Sequence, residues 1–467
     1  MQDEENKDWG WMSIVWSMPV LYALVAWLVV EGAFWVFVRW FVGPAVNEKT
    51  PRGQLPRLAD PWALCLRILD LVDSLPGYSF RDFLSGFFLG SPVEAIRHGD
   101  MISFMSWALL YKLPAELSPD EGLLLDRIVS HICARYHLRP KPGCNPAVQH
   151  VALSTRPVLF FHRPLVVYLS LRLLDHGCLA ILYLCGFSRI SIDGFSFLYR
   201  PAYFNSATST IDASPSFDST TTTATTPSLE TTPIVFFHGI CPGWLMYIPL
   251  LLSFSRHRPL VLLDLDPYKI TSLNLARPSA DAVSQAVMKL LAREGFSHCS
   301  VVGHSFGSVV AAWFLRRYPH AVSHVALLDP VCILLALPHV AANFVFRQPI
   351  NLVQWCIRLF AAREVTIAHA LGRNFWWHQC VLWLDELPPH TPIVVSLSGR
   401  DSIIEPSIVQ DHLTTAPNAH QIQTVVFPTY FHGQVCLMPA ALRILSSTIE
   451  ASERRGVHWQ VLATQPS

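Results

Sequence analysis

The chain has 467 residues, of which 51% are hydrophobic and only 15% are charged. An average soluble protein has about 25% charged residues, so this composition excludes a disordered chain and indicates attachment to a membrane. The 34 basic and 34 acidic residues cancel, so no overall positive field exists to hold nucleic acid. The 11 cysteines contain no C-x-x-C pair, which supports neither a disulfide framework nor a zinc site and favours a reducing compartment.

The first predicted element is a membrane anchor formed by residues 1–42. Residues 11–30 contain no charged side chain, and about 20 such residues cross the hydrocarbon core of a bilayer as a helix. The alternative is a helix buried in a protein core. The chain opens with acidic residues, whereas a cleaved signal peptide needs a basic start. Because basic residues follow the run, beginning with Arg39 and Lys49, the positive-inside rule places the remaining chain in the cytoplasm.

Residues 43–189 are predicted to form a helical region associated with the membrane. Amphipathic patterns recur in it, for example over residues 119–136. A second apolar stretch, residues 164–187, contains Arg172 and Asp175, which could pair at i, i+3 on one helix face. Charge inside a membrane is costly, so an interfacial or domain-packing helix is favoured here over a second span.

A polar tract rich in Ser and Thr covers residues 205–232. It has almost nothing to bury, so it is predicted to be a disordered, flexible loop. Strand-like sequences stand on both sides of it, GFSFLYRP before and PIVFFHG after. The tract is therefore interpreted as an insertion in a sheet connection.

From Ile234 onward, short apolar runs with strand composition alternate with longer helical patterns. This alternation is typical of a parallel sheet with crossover helices, so the predicted fold class is α/β. The predicted strands in this part are residues 234–237, 260–265, 299–302, 324–328, 393–397 and 423–427.

The sequence Gly303-His304-Ser305-Phe306-Gly307 stands between a predicted strand and a helical pattern. G-x-S-x-G in this context is typical of a sharp turn that exposes a nucleophilic serine. The two glycines suit a turn in which backbone segments approach closely. Ser305 is the predicted nucleophile, and the alternative is a small-residue turn in an ordinary β-α unit.

A serine hydroxyl needs a base to take its proton and a group that orients the base. Asp401 follows the penultimate predicted strand and His432 follows the last one. The carboxyl ends of parallel strands share one edge of the sheet, so both side chains are expected near Ser305. Asp401 could instead cap a turn or helix. Asp329, which follows the strand after the nucleophile helix, is a competing acid.

The oxyanion of a tetrahedral intermediate needs two backbone N–H donors. One is predicted at Phe306, directly after the nucleophile, and the other at Ile240, in the loop after strand 234–237. His238 in that loop is expected to shape the loop rather than act as a second base. His369 is expected to be a packing or lid-surface histidine.

With these motifs, residues 190–450 resemble the α/β-hydrolase superfamily in sheet order, nucleophile turn and the loop after strand three. The resemblance implies a mostly parallel sheet of about eight strands flanked by helices, and catalysis by Ser305, Asp401 and His432. It also implies a lid at residues 332–387, between strands six and seven, and leaves residues 451–467 as a tail. Many relatives have Asp directly before the final His-Gly, where this chain has Phe431.

The anchor, helical region and hydrolase domain together resemble poorly characterised membrane-associated members of the superfamily. The predicted function is a membrane-anchored, lipase-like serine hydrolase, with its catalytic domain in the cytoplasm, that cleaves a carboxylic ester through an acyl-enzyme. The apolar character of residues 332–387 favours a small lipophilic ester substrate, with membrane lipids as further partners, although these helices could instead bury their apolar faces on the sheet.

Two alternatives stay open: an acyltransferase that uses the same site, and a non-catalytic binding or scaffold protein on the same fold. A transporter is disfavoured by the small number of spans. No phosphate-binding motif supports nucleotide chemistry. Neither a metal nor an organic cofactor is expected.

Overall fold

The computed structural model describes residues 5–51, 58–203, 232–270, 272–276 and 278–463, with the side chains of residues 18–455 within these ranges. The Ser/Thr-rich tract predicted as a disordered insertion at 205–232 lies outside the described residues, except for Thr232. That interpretation stays a prediction.

The N-terminal helix is long and apolar. Helix α1 (Glu5–Phe37) continues through a π-helical turn (Val38–Val42) into α2 (Gly43–Asn47). Within Met18–Asn47, the most apolar 18-residue window has a mean hydropathy of 2.0, and none of this window is buried. An apolar N-terminal helix is thus present, with the length and composition needed to cross a bilayer.

Further helices precede the sheet: α3 (Pro61–Ser74), α4 (Phe80–Phe87), α5 (His98–Leu110), α6 (Pro119–Arg135) and α7 (Leu165–Leu184). Local signals explain where two of them begin. Asp60 accepts a hydrogen bond from Ala63 N–H at the start of α3, and Ser118 forms a capping box with Glu121 at the start of α6.

Helix α7 is the second apolar stretch of the sequence. Its most apolar 18-residue window has a mean hydropathy of 1.7, and 28% of this window is buried. Asp175 lies on its buried face and pairs with Lys269 of the sheet region at 3.2 Å, rather than with Arg172. Leu169 and Leu173 are exposed. One face of α7 therefore packs on the sheet region and another stays apolar and uncovered.

The sheet has eight strands in the described part of the chain, in the order β1-β2-β4-β3-β5-β6-β7-β8. Strands β1 and β2 pair antiparallel, β2 is antiparallel to β4, and β3 to β8 are parallel to one another. The predicted α/β class with a mostly parallel sheet is confirmed. The strands are β1 (Ser188–Ile192), β2 (Phe195–Arg200), β3 (Ile234–Phe237), β4 (Leu260–Asp264), β5 (Cys299–His304), β6 (Val322–Leu328), β7 (Ile393–Ser398) and β8 (Ile422–Phe427).

The helices that follow β3 are α8 (Ile248–Ser253), α9 (Ala280–Arg293), α10 (Phe306–Arg317), α11 (His339–Ala341), α12 (Leu352–Ile357), α13 (Val365–Arg373), α14 (Trp377–Cys380), α15 (Pro406–Thr415) and α16 (Pro439–Ala463). Helix α16 extends into the segment predicted as a tail from residue 451, as far as Ala463. Its buried Glu453 pairs with Arg258 at 2.7 Å, because this charge must be compensated inside the fold.

Apolar side chains cover both faces of the sheet. Strands β3 to β7 are almost fully buried, which explains their near-continuous apolar sequences. On one face, α9 and α10 share a single hydrophobic cluster with α3 to α6. On the other face, α7, α8 and α16 form a second cluster. The N-terminal helices are therefore part of the same core as the sheet.

Candidate active site

Ser305 lies in a tight turn between β5 and α10. Its φ of 53° is in the left-handed region, which residues with a Cβ rarely adopt and which recurs at functional sites. A Cβ at Gly303 would lie 2.7 Å from Gly307 O, and a Cβ at Gly307 would overlap the carbonyl of Phe237. Only glycine fits at these two positions, as the motif predicted.

The structure brings Ser305, His432 and Asp401 together in one hydrogen-bonded series. His432 Nε2 is 2.8 Å from Ser305 Oγ, and His432 Nδ1 is 2.5 Å from Asp401 Oδ2. A carboxylate only accepts hydrogen bonds, so Nδ1–H donates to Asp401 and Nε2 is left to accept from the serine hydroxyl. Asp401 Oδ1 also accepts from Ile403 N–H at 2.7 Å, which fixes the carboxylate.

The surroundings of His432 favour its protonated form. Burial alone would lower its pKa, but the charge of Asp401 and the hydrogen bond to it raise the pKa of His432 overall. Phe431, in the position where many relatives have Asp, is exposed and its N–H donates to Gln434. After His432 takes the proton from Ser305, the charge of Asp401 would therefore stabilise the protonated imidazole.

Asp329, the competing acid, lies beside this series without joining it. It follows β6, is fully buried, and has a φ of 43°. Its Oδ1 accepts from Ser398 N–H at 2.7 Å, and its Oδ2 accepts from Ser398 Oγ–H at 2.9 Å and Gly433 N–H at 2.8 Å. Burial and the nearby Asp401 charge raise its pKa, while His432 opposes them. Asp329 therefore holds the end of β7 and the His432 loop together.

Ligand atoms of Asp329, Asp401 and His432 lie within 4.8 Å of one another, a spacing that could hold a metal ion. The carboxylate oxygens nearest to the imidazole already accept hydrogen bonds from His432, Gly433 and Ser398. These hydrogen bonds account for the cluster without an ion.

The two predicted oxyanion donors both stand beside Ser305. Ile240 and Phe306 line the same cavity as the serine, and within the described residues neither N–H donates to another protein group. Phe306 opens α10, where backbone N–H groups have no partner within the helix. The role of Ile240 and Phe306 as oxyanion donors stays a prediction.

Hydrogen bonds behind the oxyanion loop hold it in place. His238 Nε2 accepts from Leu265 N–H at 3.0 Å, and its Nδ1 bonds Gly239 O at 2.7 Å, so His238 shapes the loop as expected. Gly239 N–H donates to Tyr247 Oη at 2.8 Å, and Tyr247 Oη bonds His304 Nδ1 at 2.9 Å. The residue before the nucleophile is thereby linked to the loop.

A buried ion cluster underlies the same loop. Lys269 Nζ is 2.5 Å from Asp264 and 3.2 Å from Asp175 of α7, and it lies 5.2 Å from the centre of the Trp244 ring. Trp244 N–H also donates to Asp175 at 3.1 Å. Burial alone would lower the pKa of Lys269, but the two carboxylates raise it overall. The cluster ties α7 to β4 and to the loop.

A cavity of about 450 Å³ begins at Ser305 and His432. This volume lies in the range of roughly 300–1,000 Å³ typical of small-molecule sites. Its walls are mostly apolar side chains from two segments outside the sheet. The first is α3 to α5, with Leu69, Phe87 and Met105, and the second is residues 335–361. An apolar ligand group would fit these walls.

The contribution of α3 to α5 is what sequence reasoning missed. Their amphipathic pattern predicts helices that pack on something, but it does not indicate what they cover. A signal was present in the density of aromatic residues over α4 and α5, such as Phe83, Phe87 and Phe104, which line the cavity. Only their position relative to Ser305 shows this role.

The segment 332–387 lies between β6 and β7, where the lid was predicted. Its second half is pinned to the N-terminal helices: Trp377 Nε1–H donates to Ala108 O at 2.8 Å, and His378 Nδ1 is 2.6 Å from Tyr111 Oη. His369 is buried and bonds Val46 O at 3.3 Å, so it is a packing histidine. Movement of the segment as a lid stays a prediction.

Residues 232–431 match the family model described as alpha/beta hydrolase fold. A search among curated proteins found no match. A solved membrane phospholipase A, described as a bacterial virulence factor, is 15% identical over 62% of this chain and 91% of that chain, with a TM-score of 0.36. A thermophilic esterase from Thermogutta terrifontis is 14% identical over 58% of this chain and 99% of that chain, with a TM-score of 0.39.

The naproxen esterase from Bacillus subtilis is 15% identical over 57% of this chain and 90% of that chain, with a TM-score of 0.35. Likeness at this level does not indicate a shared substrate. The residues that match the family model include the strand, turn and helix around Ser305. Residues 232–431, somewhat less than half of the chain, are similar to the alpha/beta hydrolase fold family.

Proposed function

We propose that this protein is a membrane-anchored serine hydrolase that cleaves a carboxylic ester with a lipophilic acyl group. The observation that carries the proposal is the series Ser305–His432–Asp401, whose serine and histidine line an apolar cavity. The family match supports a hydrolase. The exposed apolar surface of α1 supports the membrane anchor.

In the first half of the reaction, Ser305 Oγ attacks the ester carbonyl carbon while His432 Nε2 takes the hydroxyl proton. Asp401 holds the imidazole in the required tautomer and stabilises the imidazolium. The negative charge that develops on the carbonyl oxygen is stabilised by the N–H groups of Ile240 and Phe306. Collapse of this intermediate breaks the ester C–O bond, and the imidazolium donates its proton to the departing alcohol.

In the second half, a water molecule gives a proton to His432 Nε2 and attacks the acyl-enzyme. The Ser305–acyl bond breaks, Ser305 Oγ regains the proton, and the carboxylic acid leaves. The apolar walls contributed by α3 to α5 hold the acyl chain during both steps. Because the acyl-enzyme is the shared intermediate, an alcohol in place of water would give acyl transfer.

The test is covalent labelling of the detergent-solubilised full chain by a fluorophosphonate, which reacts with activated serines. We expect labelling of the wild type, none in Ser305→Ala, and strong slowing in His432→Ala. Ser447→Ala, which removes an exposed hydroxyl on α16, is the matched control and should label like the wild type. Full labelling of Ser305→Ala would reject the site, and no labelling of a folded wild type would favour a non-catalytic role.

A further inference from the structure

We propose that the helical segment Leu352–Ala362, called here the entrance helix, lies in the membrane surface, and that the ester substrate enters the cavity past it from the bilayer. The inference deepens the proposed function and rests on it. The substrate class would be membrane-resident lipid esters with a long acyl chain, rather than esters dissolved in water.

The entrance helix has two apolar sides with different surroundings. Leu352, Cys356 and Ile357 line the cavity that begins at Ser305. On the outside, Ile350, two residues before the first residue of the helix, is 86% exposed, and Trp355 within the helix is 47% exposed. An exposed apolar patch of this kind marks an interaction surface. Here only one helix separates that surface from the acyl cavity.

The entrance helix lies beside the predicted membrane anchor. Arg163 donates to Leu359 O at 2.7 Å and lies 5.5 Å from the centre of the Phe360 ring. Tyr168, at the start of α7, contacts Phe34 of α1 at 5.8 Å between ring centres. Arg163 and Tyr168, around the start of α7, therefore lie between the entrance helix and α1, so the two exposed surfaces are close to each other.

Further contacts fix this arrangement. Glu31 of α1 accepts from Leu165 N–H at 2.9 Å, and Phe161 N–H donates to Arg363 O at 2.9 Å. Leu159 and Phe161 are themselves exposed. A bilayer that surrounds α1 would consequently meet the entrance helix on the same side of the molecule.

The charges around the entrance helix suit phospholipid headgroups. Arg358 donates to Arg347 O, and Arg363 donates to Leu159 O and Val345 O. Within the described residues, neither guanidinium forms an ion pair with a carboxylate. Arginines next to Trp, Phe and Leu are typical of helices that lie in the membrane interface. Anionic headgroups would supply the missing counter-charges.

The remainder of the 332–387 segment does not offer this route. Gly86 of α4 packs so closely on Pro338 that a Cβ would lie 2.5 Å from its Cγ, and Arg67 of α3 pairs with Glu386 at 2.9 Å. The residues around Pro338 and those near Glu386 are thus covered by N-terminal helices. The entrance helix is the part of the cavity wall that combines exposure with closeness to α1.

The primary test is photo-crosslinking of the wild-type full chain in vesicles of phosphatidylcholine and phosphatidylserine. A phospholipid with a diazirine in its acyl chain is activated, and its adducts are mapped by mass spectrometry. We expect adducts at residues 350–362 as well as on α1. Leu123 on α6 and Ile444 on α16, which are exposed apolar residues away from the entrance helix, should carry none.

Three results would overturn the inference. Adducts on α1 alone would leave the anchor intact but remove the entrance helix from the bilayer. Crosslinks between residues 350–362 of two copies would make this surface a dimer interface. Adducts on neither segment would reject the anchor of the proposed function too, whereas Ser305 labelling in detergent would still test the catalytic site separately.

The second test compares two substrates, a long-chain ester within the vesicles and a water-soluble short-chain ester. In Ile350→Glu the ratio of the first rate to the second should fall by about tenfold, because a carboxylate disfavours contact with the bilayer. Leu123→Glu places the same charge on α6 and should leave the ratio unchanged. An unchanged ratio in Ile350→Glu would contradict entry from the bilayer.

Discussion

Two carboxylates, those of Asp401 and Asp329, lie beside His432, and their hydrogen-bond partners distinguish their roles. Asp401 accepts from the imidazole, whereas the oxygens of Asp329 accept from Ser398 and Gly433. Both acids follow strands, at the same sheet edge as Ser305, so their place in the sequence does not distinguish them. Which of the two acids accepts a hydrogen bond from His432 depends on the direction of its side chain. The packing of the loops after the strands sets that direction.

The pH dependence of Ser305 labelling should show that Asp401, and not Asp329, assists His432. A protonated His432 cannot take the serine proton, so labelling falls as the pH decreases through the pKa of His432. That pKa is raised, so the midpoint should lie above the ordinary histidine value of about 6.5. In Asp401→Asn the midpoint should move to lower pH, with a loss of rate on the order of a thousandfold.

The rate constant for fluorophosphonate labelling, measured across pH, checks this prediction. Asp329→Asn is the matched control, because it removes a nearby carboxylate that makes no hydrogen bond to His432. It should retain most of the rate. The opposite order of the two variants would make Asp329 the acid that assists His432.

At the scale of elements, the buried Lys269 joins three parts of the fold. It pairs with Asp264 at the end of β4 and with Asp175 of α7, and it lies under the loop that carries Ile240. Asp175 in an apolar stretch looked costly in the sequence. Its cost is offset by a partner that is distant in the chain, which explains why α7 packs on the sheet region.

Lys269→Met should destabilise the fold because it leaves Asp175 buried without a counter-charge and leaves Asp264 with only the largely exposed Arg189 at 3.5 Å. We expect a loss of about 3–5 kcal/mol in the free energy of unfolding. Lys289→Met, which breaks an exposed pair with Asp193, should cost at most about 1 kcal/mol. Denaturant unfolding in detergent measures both. Similar losses in the two variants would show that the buried cluster does not stabilise the fold.

At the scale of the whole molecule, the acyl cavity belongs to no single segment. Its catalytic end comes from the strand ends and its far walls come from α3 to α5 and from residues 335–361. The segments before the sheet and the sheet region share one hydrophobic cluster. The size of the cavity, and with it the acyl length that the proposed function would accept, is therefore set by contacts between distant parts of the chain.

Filling the cavity from α5 should shorten the acyl chain that is accepted. Ala108 lines the cavity, and Ala108→Phe places a ring in it. We expect the kcat/KM ratio of long-chain to short-chain esters to fall by about tenfold, equivalent to about 1.4 kcal/mol. The exposed Ala147 lies outside the cavity, so Ala147→Phe should leave the ratio unchanged. An unchanged ratio in Ala108→Phe would mean that acyl chains do not reach α5.

The sequence by itself determined the α/β class and the positions of Ser305, Asp401 and His432 as site candidates. This was possible because strand and helix periods are local, and because a G-x-S-x-G turn needs glycines where the backbone approaches closely. The apolar helix at the N-terminus could be predicted for the same reason, since its signal lies in one continuous run.

Only the tertiary structure decided which acid contacts His432, how Asp175 is compensated, and what α3 to α5 cover. Each depends on contacts between residues far apart in the chain, such as Asp175 with Lys269 or Asp401 with His432. Local periodicity shows that a helix has an apolar face, but not which surface that face meets. The cavity is formed by the surfaces that these apolar faces meet, so its walls could be identified only in the folded chain.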